Sequence, residues 1–211
     1  MKPLRFVVTK PAGGSVTVTR DHLLLSGRVL KYVDTLGIAV YDGHGFLGLV
    51  SYASVSVELR MRNGEHHTFT FSSLRAGIPS EPEEERLEGT AAFLMELIEP
   101  HVILNLLLEV AAGRAISFGP RLELRPDGLH LRKYLWMPAT SMSWDDVTGG
   151  SLVGNRWEIY GRINNRIRLF VSCGMNDING RLLPFLIAWL HPRKGRVSDL
   201  DRQSLLAGQV P

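Results

Sequence analysis

Apolar and polar residues alternate over two long segments of the chain, which is the pattern of half-buried antiparallel strands. In residues 55–62, valine, leucine and methionine occupy every second position, with serine or charged residues between them. Asn63-Gly64 follows this segment and favours a two-residue hairpin turn into a second strand at residues 66–71. A later Asn-Asn pair is flanked in the same way by residues 157–162 and 166–173. The pattern therefore predicts two antiparallel hairpins.

Shorter apolar segments bounded by turn-forming residues predict further strands. In the first part of the chain they are residues 16–18, 23–25 and 37–41. In the second part they are residues 122–124, 129–131 and 142–147. Gly149-Gly150 is predicted to end the last of these strands, and the glycine-rich segment 43–48 is predicted to be a loop.

Two segments have a helical pattern of apolar residues. The first is residues 86–112, which Pro100 is expected to stop or kink and which Gly113 suits as the residue after the end. The acidic segment 79–85 before it is predicted to be a surface loop. The second helix is predicted between Asp177 and Leu190, with Pro184 in its first turn or kinking it.

The polar tail of the chain, residues 192–211, is predicted to be loose. Within it, Ser198-Asp199-Leu200-Asp201 could cap one short helix.

The order of predicted elements occurs twice, which indicates an internal repeat. At an offset of 106, Val16 aligns with Leu122, Asp21 with Asp127, Leu23 with Leu129 and Ile38 with Trp144. The repeat predicts one domain at residues 1–113, a second at 114–192, and a C-terminal tail at 193–211. Each domain is predicted to be strand-rich and to end in a helix.

Three motifs carry a resemblance to a known family. They are the segment from Ala112 to Pro120 (Ala-Gly-Arg-Ala-Ile-Ser-Phe-Gly-Pro), then Asp127-Gly128-Leu129, then Ser143-Trp144-Asp145-Asp146-Val147. The chain resembles a bacterial family of tandem pleckstrin-homology-like proteins, specifically over residues 86–150 and in general terms before residue 80. The resemblance implies an α+β fold of two tandem units, each a bent antiparallel sheet or partly open barrel closed by a C-terminal helix. It implies no activity.

The segment Trp144-Asp145-Asp146-Val147 has a structural interpretation. Trp144 and Asp146 would share one face of a strand, which simple alternation of core and surface does not explain. A large ring at a corner of the sheet, with Asp146 hydrogen-bonding a neighbouring turn, would account for both.

Composition describes a globular chain of 211 residues, with 45% hydrophobic residues and a net charge of +3. The charge is uneven: residues 1–113 have 10 basic and 13 acidic side chains, and residues 114–211 have 14 and 8. The single cysteine, Cys173, excludes an intrachain disulfide and is expected to be a buried apolar residue. No signal peptide is recognisable, and acidic residues interrupt the apolar segment 89–113, so a cytoplasmic protein is expected.

The common catalytic and cofactor motifs are missing from the sequence. Gly43-His44-Gly45-Phe46-Leu47-Gly48 misses the spacing of the dinucleotide fingerprint, and there is no phosphate-binding loop or hydrolase elbow. His66 and His67 are neighbours on a strand and point to opposite faces, which does not suit a metal site. We therefore expect no enzyme activity, no catalytic residue, no metal and no cofactor.

The strongest candidate for a binding site is basic. On one arm of the later hairpin Arg156, Glu158, Tyr160 and Arg162 share a face, and on the other arm Arg166, Arg168 and Phe170 share one. If the Asn-Asn turn is tight, these two faces are expected to coincide. Arg132 and Lys133 are expected on another strand of the same sheet. Such a face could hold phosphate, carboxylate or an exposed base, although an antiparallel sheet also needs one polar face.

These observations support two hypotheses about function. The first is a non-catalytic binding or scaffold module that engages a protein or peptide partner, or an anionic membrane surface. The alternative is single-stranded nucleic-acid binding through the basic and aromatic face of the second domain, which the mild net charge disfavours. A homodimer formed through an exposed sheet edge is a further prediction.

Overall fold

The computed structural model describes residues 4–7, 14–47, 50–76, 81–132 and 139–206. These residues form an α+β protein with four separate antiparallel sheets, which confirms the predicted class. None of the described strands closes a barrel, because each sheet has two unpaired edges. The chain divides into two compact units, Met1–Val102 and Ile103–Pro211.

The first unit contains a four-stranded and a three-stranded sheet, each with its strands in chain order. The four strands are β1 (Leu4–Val7), β2 (Ser15–Val18), β3 (His22–Leu25) and β4 (Arg28–Lys31). The three strands are β5 (Thr35–Leu47), β6 (Val50–Met61) and β7 (His66–Ala76). The alternation in residues 55–62 is confirmed: Val55, Val57, Leu59 and Met61 are buried. The helix α1 (Glu81–Ala111) follows β7 and runs across the boundary between the units.

The second unit contains the same two kinds of sheet in the same order. Its four-stranded sheet consists of β8 (Ile116–Phe118), β9 (Leu122–Arg125), β10 (Gly128–Leu131) and β11 (Thr140–Ser143). Its three-stranded sheet consists of β12 (Val147–Val153), β13 (Arg156–Ile163) and β14 (Arg166–Gly174). Two short helices follow, α2 (Leu183–Leu190) and α3 (Asp199–Leu206), and Pro184 lies in the first turn of α2 as one of the two alternatives predicted.

Two glycine-containing segments were wrongly predicted to interrupt strands. Residues 43–47 belong to β5, where Gly43 pairs with Ser54 and a Cβ atom would lie 2.9 Å from the Ser54 hydroxyl. Gly149-Gly150 lies inside β12, paired with Tyr160 and Ile159, and the predicted strand 142–147 is instead broken by a turn at residues 144–146. In both places the paired strand supplies the hydrogen bonds that continue the strand, and the close approach of Ser54 to Gly43 and of the Glu158 carbonyl to Gly150 favours glycine.

The two predicted hairpins are present, but their turns differ. In β13–β14, Asn164 and Asn165 both have positive φ values, 51° and 59°, as a two-residue turn of type I′ requires. In β6–β7, Gly64 has a φ of +85°, and the Met61 N–H donates to the Glu65 carbonyl at 2.8 Å. That turn therefore has three residues, not the predicted two.

Helix α1 begins at Glu81, five residues earlier than predicted, and it passes through Pro100 without ending. Its last residue is Ala111, and Gly113 follows the end as predicted, with a φ of +79°. The Arg114 N–H donates to the Glu109 carbonyl and the Gly113 N–H to the Val110 carbonyl, the two bonds of a Schellman motif. Among the described helices, the segment Gly89–Ala111 alone is long and apolar enough to cross a membrane, by length and composition.

The repeat is visible in the structure, but the offset changes within it. The link between the third and fourth strands is two residues in the first unit and eight in the second, so the offset increases from 106 to 112. Trp144 therefore corresponds to Tyr32, not to Ile38 as the sequence alignment predicted. Each of these two aromatic residues directly follows the fourth strand and lies three positions before the fifth.

We call each of these aromatic residues, with the turn it contacts, an aromatic corner. Tyr32 and Trp144 are 1% and 2% exposed. The Tyr32 hydroxyl donates to the Thr19 carbonyl at 3.2 Å, and Trp144 Nε1 donates to the Pro126 carbonyl at 3.0 Å. Both carbonyls belong to the turn between the second and third strands. Burial and the nearby Asp21 raise the pKa of Tyr32 to about 12, so the phenol keeps its proton.

The aspartate two residues after each aromatic ring completes the corner. The backbone carbonyls of Asp34 and Asp146 accept hydrogen bonds from the N–H groups of Arg62 and Arg162, at 2.7 and 2.8 Å. The Asp146 carboxylate also accepts from the Ser143 hydroxyl at 2.7 Å. The predicted buried ring at a corner is confirmed, but Asp146 lies in the turn at residues 144–146, and its carboxylate bonds Ser143 beside that turn, not a neighbouring turn.

The segment predicted to be a loose tail packs against the second unit over its first part. Gly195 approaches the Pro126 carbonyl and the Trp144 ring so closely that a Cβ atom there would lie 2.0 Å from the former. Helix α3 has the predicted cap, since Ser198 Oγ accepts from the Asp201 N–H and the Asp201 carboxylate accepts from the Ser198 N–H. Leu205 on this helix is 1% exposed.

Candidate binding site in the second unit

The predicted basic face on β13 and β14 does not form as one surface. In the hairpin, Arg162 lies opposite Ile167, and Arg166 lies opposite Ile163. Directly opposite residues share a face, so Arg162 and Tyr160 are on one face of the sheet and Arg166 and Arg168 on the other. The expectation that the two arginine-bearing faces coincide was wrong.

The reason is the length of the turn. A two-residue turn pairs Ile163 with Arg166, so even-numbered positions of one arm lie opposite odd-numbered positions of the other. A β-bulge at Ile159/Tyr160 then changes the register, with Phe170 as the extra residue of β14. Beyond the bulge, Arg156 lies opposite Gly174.

The structure gives several predicted site residues partners within the protein. Arg156 donates from Nε to the Ser172 hydroxyl at 2.6 Å and from Nη2 to the Ser172 carbonyl at 3.0 Å. The Tyr160 hydroxyl donates to the Glu158 carboxylate. Lys133 lies outside the described residues. The binding role of all these side chains stays a prediction, but the nucleic-acid hypothesis loses the single face on which it rested.

Arg132 belongs to an ionic cluster around the buried carboxylate of Glu123, which sequence reasoning missed. Its guanidinium donates to the Glu123 carboxylate and, at 2.6 Å, to the Ser117 hydroxyl. Arg125 donates to the same carboxylate at 2.6 Å. Burial alone would raise the pKa of Glu123, but the hydrogen bonds and charges of the two arginines outweigh it and hold the pKa below its usual value. Arg132 is therefore a partner of Glu123 on β9, not part of a surface with β13 and β14.

Replacing Glu123 with glutamine is expected to lower the free energy of unfolding at pH 7 by about 1–3 kcal/mol, because two guanidinium groups lose a buried charged acceptor. The folded-state pKa of Glu123 is lowered, so its stabilisation is complete above the unfolded-state pKa of about 4.5 and is lost as the pH falls through the folded-state value. Urea denaturation across that pH range should show the wild type approaching the variant. Glu65→Gln is the control, since the Arg28–Glu65 pair is exposed to water; equal losses would contradict this role.

A groove of about 660 Å³ lies between β14 and the link from β8 to β9. Six large apolar side chains line it: Phe118, Leu122, Leu131, Leu169, Phe170 and Val171. Arg121 and Arg156 add positive charge to its walls, and Asp177 adds one negative charge. Among the described strands, β14 pairs only with β13, so this groove follows an open sheet edge. We call it the β14 groove.

Cys173 lies at the β14 groove but is not suited to nucleophilic chemistry. It is 3% exposed, and burial together with the Asp177 carboxylate raises the pKa of its thiol to about 12. A thiol with this pKa is protonated at neutral pH. The prediction that Cys173 is a buried residue is confirmed. In the part of the chain that the structure describes, no three His, Cys, Asp or Glu side chains gather in a way that could hold a metal ion.

Another groove, of about 520 Å³, lies in the first unit beside the β6–β7 turn. Its walls include Arg28, Lys31 and Arg62, but also Asp34 and Glu65. Glu65 forms an ion pair with Arg28 at 2.6 Å. The β14 groove has twice as many large apolar side chains, so it is better suited to bind a partner through the hydrophobic effect.

Comparison with models of known protein families finds no match to this chain, and no curated protein matches it.

Proposed function

We propose that this chain is a non-catalytic binding protein made of two tandem pleckstrin-homology-like units, and that its second unit binds an extended protein or peptide segment. The tandem arrangement is supported by the order of four strands, three strands and a helix, which occurs twice. The aromatic corner at the same position of both units supports it further. The peptide-binding function rests on one observation, the apolar β14 groove along an open sheet edge.

The chemistry of the β14 groove defines the segment that it would bind. Its apolar lining suits aliphatic or aromatic side chains, which gain about 25 cal/mol for each Å² removed from water. Arg156 uses two of its five N–H groups on Ser172, which leaves three for a carboxylate. The strand residues that line the groove run from Leu169 to Cys173, a length of about 16 Å. The preferred ligand is a segment of about five residues that combines apolar side chains with one acidic group.

The protonated thiol of Cys173 supports a non-catalytic role, because the one cysteine that reaches the groove is not available as a thiolate. The hydrogen bonds of Glu123 also support a non-catalytic role. Its carboxylate is held by two arginines in a structural cluster and is not poised to exchange protons at neutral pH.

Selection from a phage-displayed library of random 12-residue peptides on the full-length protein tests this function. Selected peptides are expected to be apolar and acidic. Leu169→Asp and Arg156→Glu should each weaken their binding about tenfold or more, measured by fluorescence anisotropy. Ile167→Asp is the matched control: it makes the same kind of change on the same strand, but Ile167 does not line the groove. Failure to enrich peptides, or equal binding by the two groove variants and the wild type, would reject the groove as the binding site.

A further inference from the structure

The end of the β13–β14 hairpin exposes apolar and basic side chains together. We call Arg162, Ile163, Arg166, Ile167 and Arg168 the arginine tip. Ile167 is 69% exposed, the largest value among the large hydrophobic side chains of the described residues. An exposed aliphatic side chain on a strand is ordinary when it stands alone. Here Arg162 lies opposite Ile167 on the same face, and Arg166 and Arg168 flank it in sequence with their side chains on the other face, so the combination requires an explanation.

Among the residues that the structure describes, no carboxylate neutralises the positive charge of the arginine tip. Residues 159–176 contain three arginines and no aspartate or glutamate. In the described structure none of Arg162, Arg166 and Arg168 has an ion pair with a carboxylate. Three exposed guanidinium groups within one hairpin are therefore available to an external anion.

The register that separates the arginines also places an aliphatic residue beside one of them on each face. Arg162 lies opposite Ile167 on one face, and Arg166 lies opposite Ile163 on the other. A hairpin that only needed one polar face would place its arginines together. With this arrangement, each face of the arginine tip presents one isoleucine side chain that can be buried, with a guanidinium group directly beside it.

The equivalent hairpin of the first unit lacks these properties. Arg60 donates from Nε to His66 at 3.2 Å, and His66 in turn contacts the Glu58 carboxylate at 3.2 Å. No large hydrophobic side chain is exposed among residues 57–71, where β6 turns into β7. The feature is therefore specific to the second unit, in the half of the chain with the positive net charge.

We propose that the arginine tip binds the surface of an anionic lipid bilayer, with Ile167 entering the boundary between headgroups and acyl chains. Guanidinium groups form paired hydrogen bonds with phosphate oxygens, and aliphatic side chains gain free energy only where hydrocarbon is present. A nucleic-acid backbone would satisfy the arginines but would offer nothing to Ile167. This surface is separate from the β14 groove and adds a lipid partner to the proposed peptide partner.

Co-sedimentation of the full-length protein with vesicles tests the proposal. Vesicles of phosphatidylcholine with about one third phosphatidylglycerol should bind the protein, and vesicles of phosphatidylcholine alone should not. Changing Arg162, Arg166 and Arg168 together to glutamate should weaken binding by about 100-fold or more, since each basic residue near an anionic surface contributes on the order of a fivefold change. Arg60→Glu, on the equivalent hairpin of the first unit, is the matched control and should leave binding unchanged.

Ile167→Lys separates insertion from charge attraction alone. It adds a positive charge but removes the aliphatic group, so it should weaken binding if Ile167 inserts and strengthen it if only charge matters. Stronger binding by Ile167→Lys, or equal binding of the wild type to neutral and anionic vesicles, would overturn the proposal. So would arginine-dependent binding to a short oligonucleotide without binding to vesicles. Leu169→Asp and Arg156→Glu report on the groove, so failure of either proposal can be told apart from failure of the other.

Discussion

Replacing Trp144 with alanine is expected to lower the free energy of unfolding by about 3–5 kcal/mol, which is the usual loss for a buried tryptophan. The ring is 2% exposed, so its removal leaves a cavity at the corner of the second unit. The Pro126 carbonyl also loses the Nε1 donor at 3.0 Å. Urea denaturation followed by far-ultraviolet circular dichroism measures the loss.

Trp144→Phe is the companion variant, and it keeps the measurement informative if the alanine variant does not fold. Phenylalanine retains most of the apolar contact but cannot donate to the Pro126 carbonyl. We expect a smaller loss, of about 1–3 kcal/mol. A loss below 1 kcal/mol for the alanine variant would mean that the corner does not stabilise the second unit.

Replacing Gly195 with alanine is expected to lower the free energy of unfolding by about 2–5 kcal/mol. Two effects add: Gly195 has a φ of +69°, which disfavours any side chain, and a Cβ atom would lie 2.0 Å from the Pro126 carbonyl and 2.3 Å from Trp144 Nε1. The new methyl group must displace either the turn or the ring, so the hydrogen bond between them is lost with it.

Gly154→Ala separates these two effects. Gly154 has a similar φ of +59°, but no atom lies within 4 Å of the position that its Cβ would take. This variant should lose only the conformational part, about 1–2 kcal/mol. If both glycine variants lose the same amount under the same denaturation assay, the close approach of Gly195 to the aromatic corner contributes nothing.

Local patterns in the sequence were sufficient to predict most of the strands. Alternation in residues 55–62 depends on which side chains face the core, and that information is contained within a few neighbouring positions. The ends of the helices were less predictable. Gly113 correctly marked the end of α1, because a positive φ favours glycine. Pro100 did not end the helix, since packing of a long apolar face outweighs the loss of one backbone hydrogen bond.

Register could not be predicted from alternation alone. The alternation of Arg156, Tyr160 and Arg162 shows which residues share a face on one strand, but the turn and the bulge decide what lies opposite. Across a two-residue turn, an even-numbered residue lies opposite an odd-numbered one. This rule would have placed Arg162 and Arg166, which are both even-numbered, on opposite faces of the sheet. The bulge at Phe170 left no such signal in the sequence.

The aromatic corners could have been recognised in the sequence, but aligning the two units at a single offset of 106 concealed them. In both units an aromatic residue directly follows the fourth strand, and an aspartate stands two positions later, as Tyr32 with Asp34 and Trp144 with Asp146. The longer link before β11 shifts the second copy by six residues. The β14 groove was not predictable in this way, because residues as distant in sequence as Leu131 and Leu169 meet only in the folded unit.

The position of Gly195 has a consequence for how the protein emerges from the ribosome. The helix that contacts the first corner is already made by mid-chain, since the His101 ring lies 5.3 Å from the Tyr32 ring. The second corner is completed by Gly195, which is synthesised 94 residues after His101. Because a chain is synthesised from its N-terminus, the contacts of the first corner are all present while the second unit is still being made, so the first corner can assemble before the second.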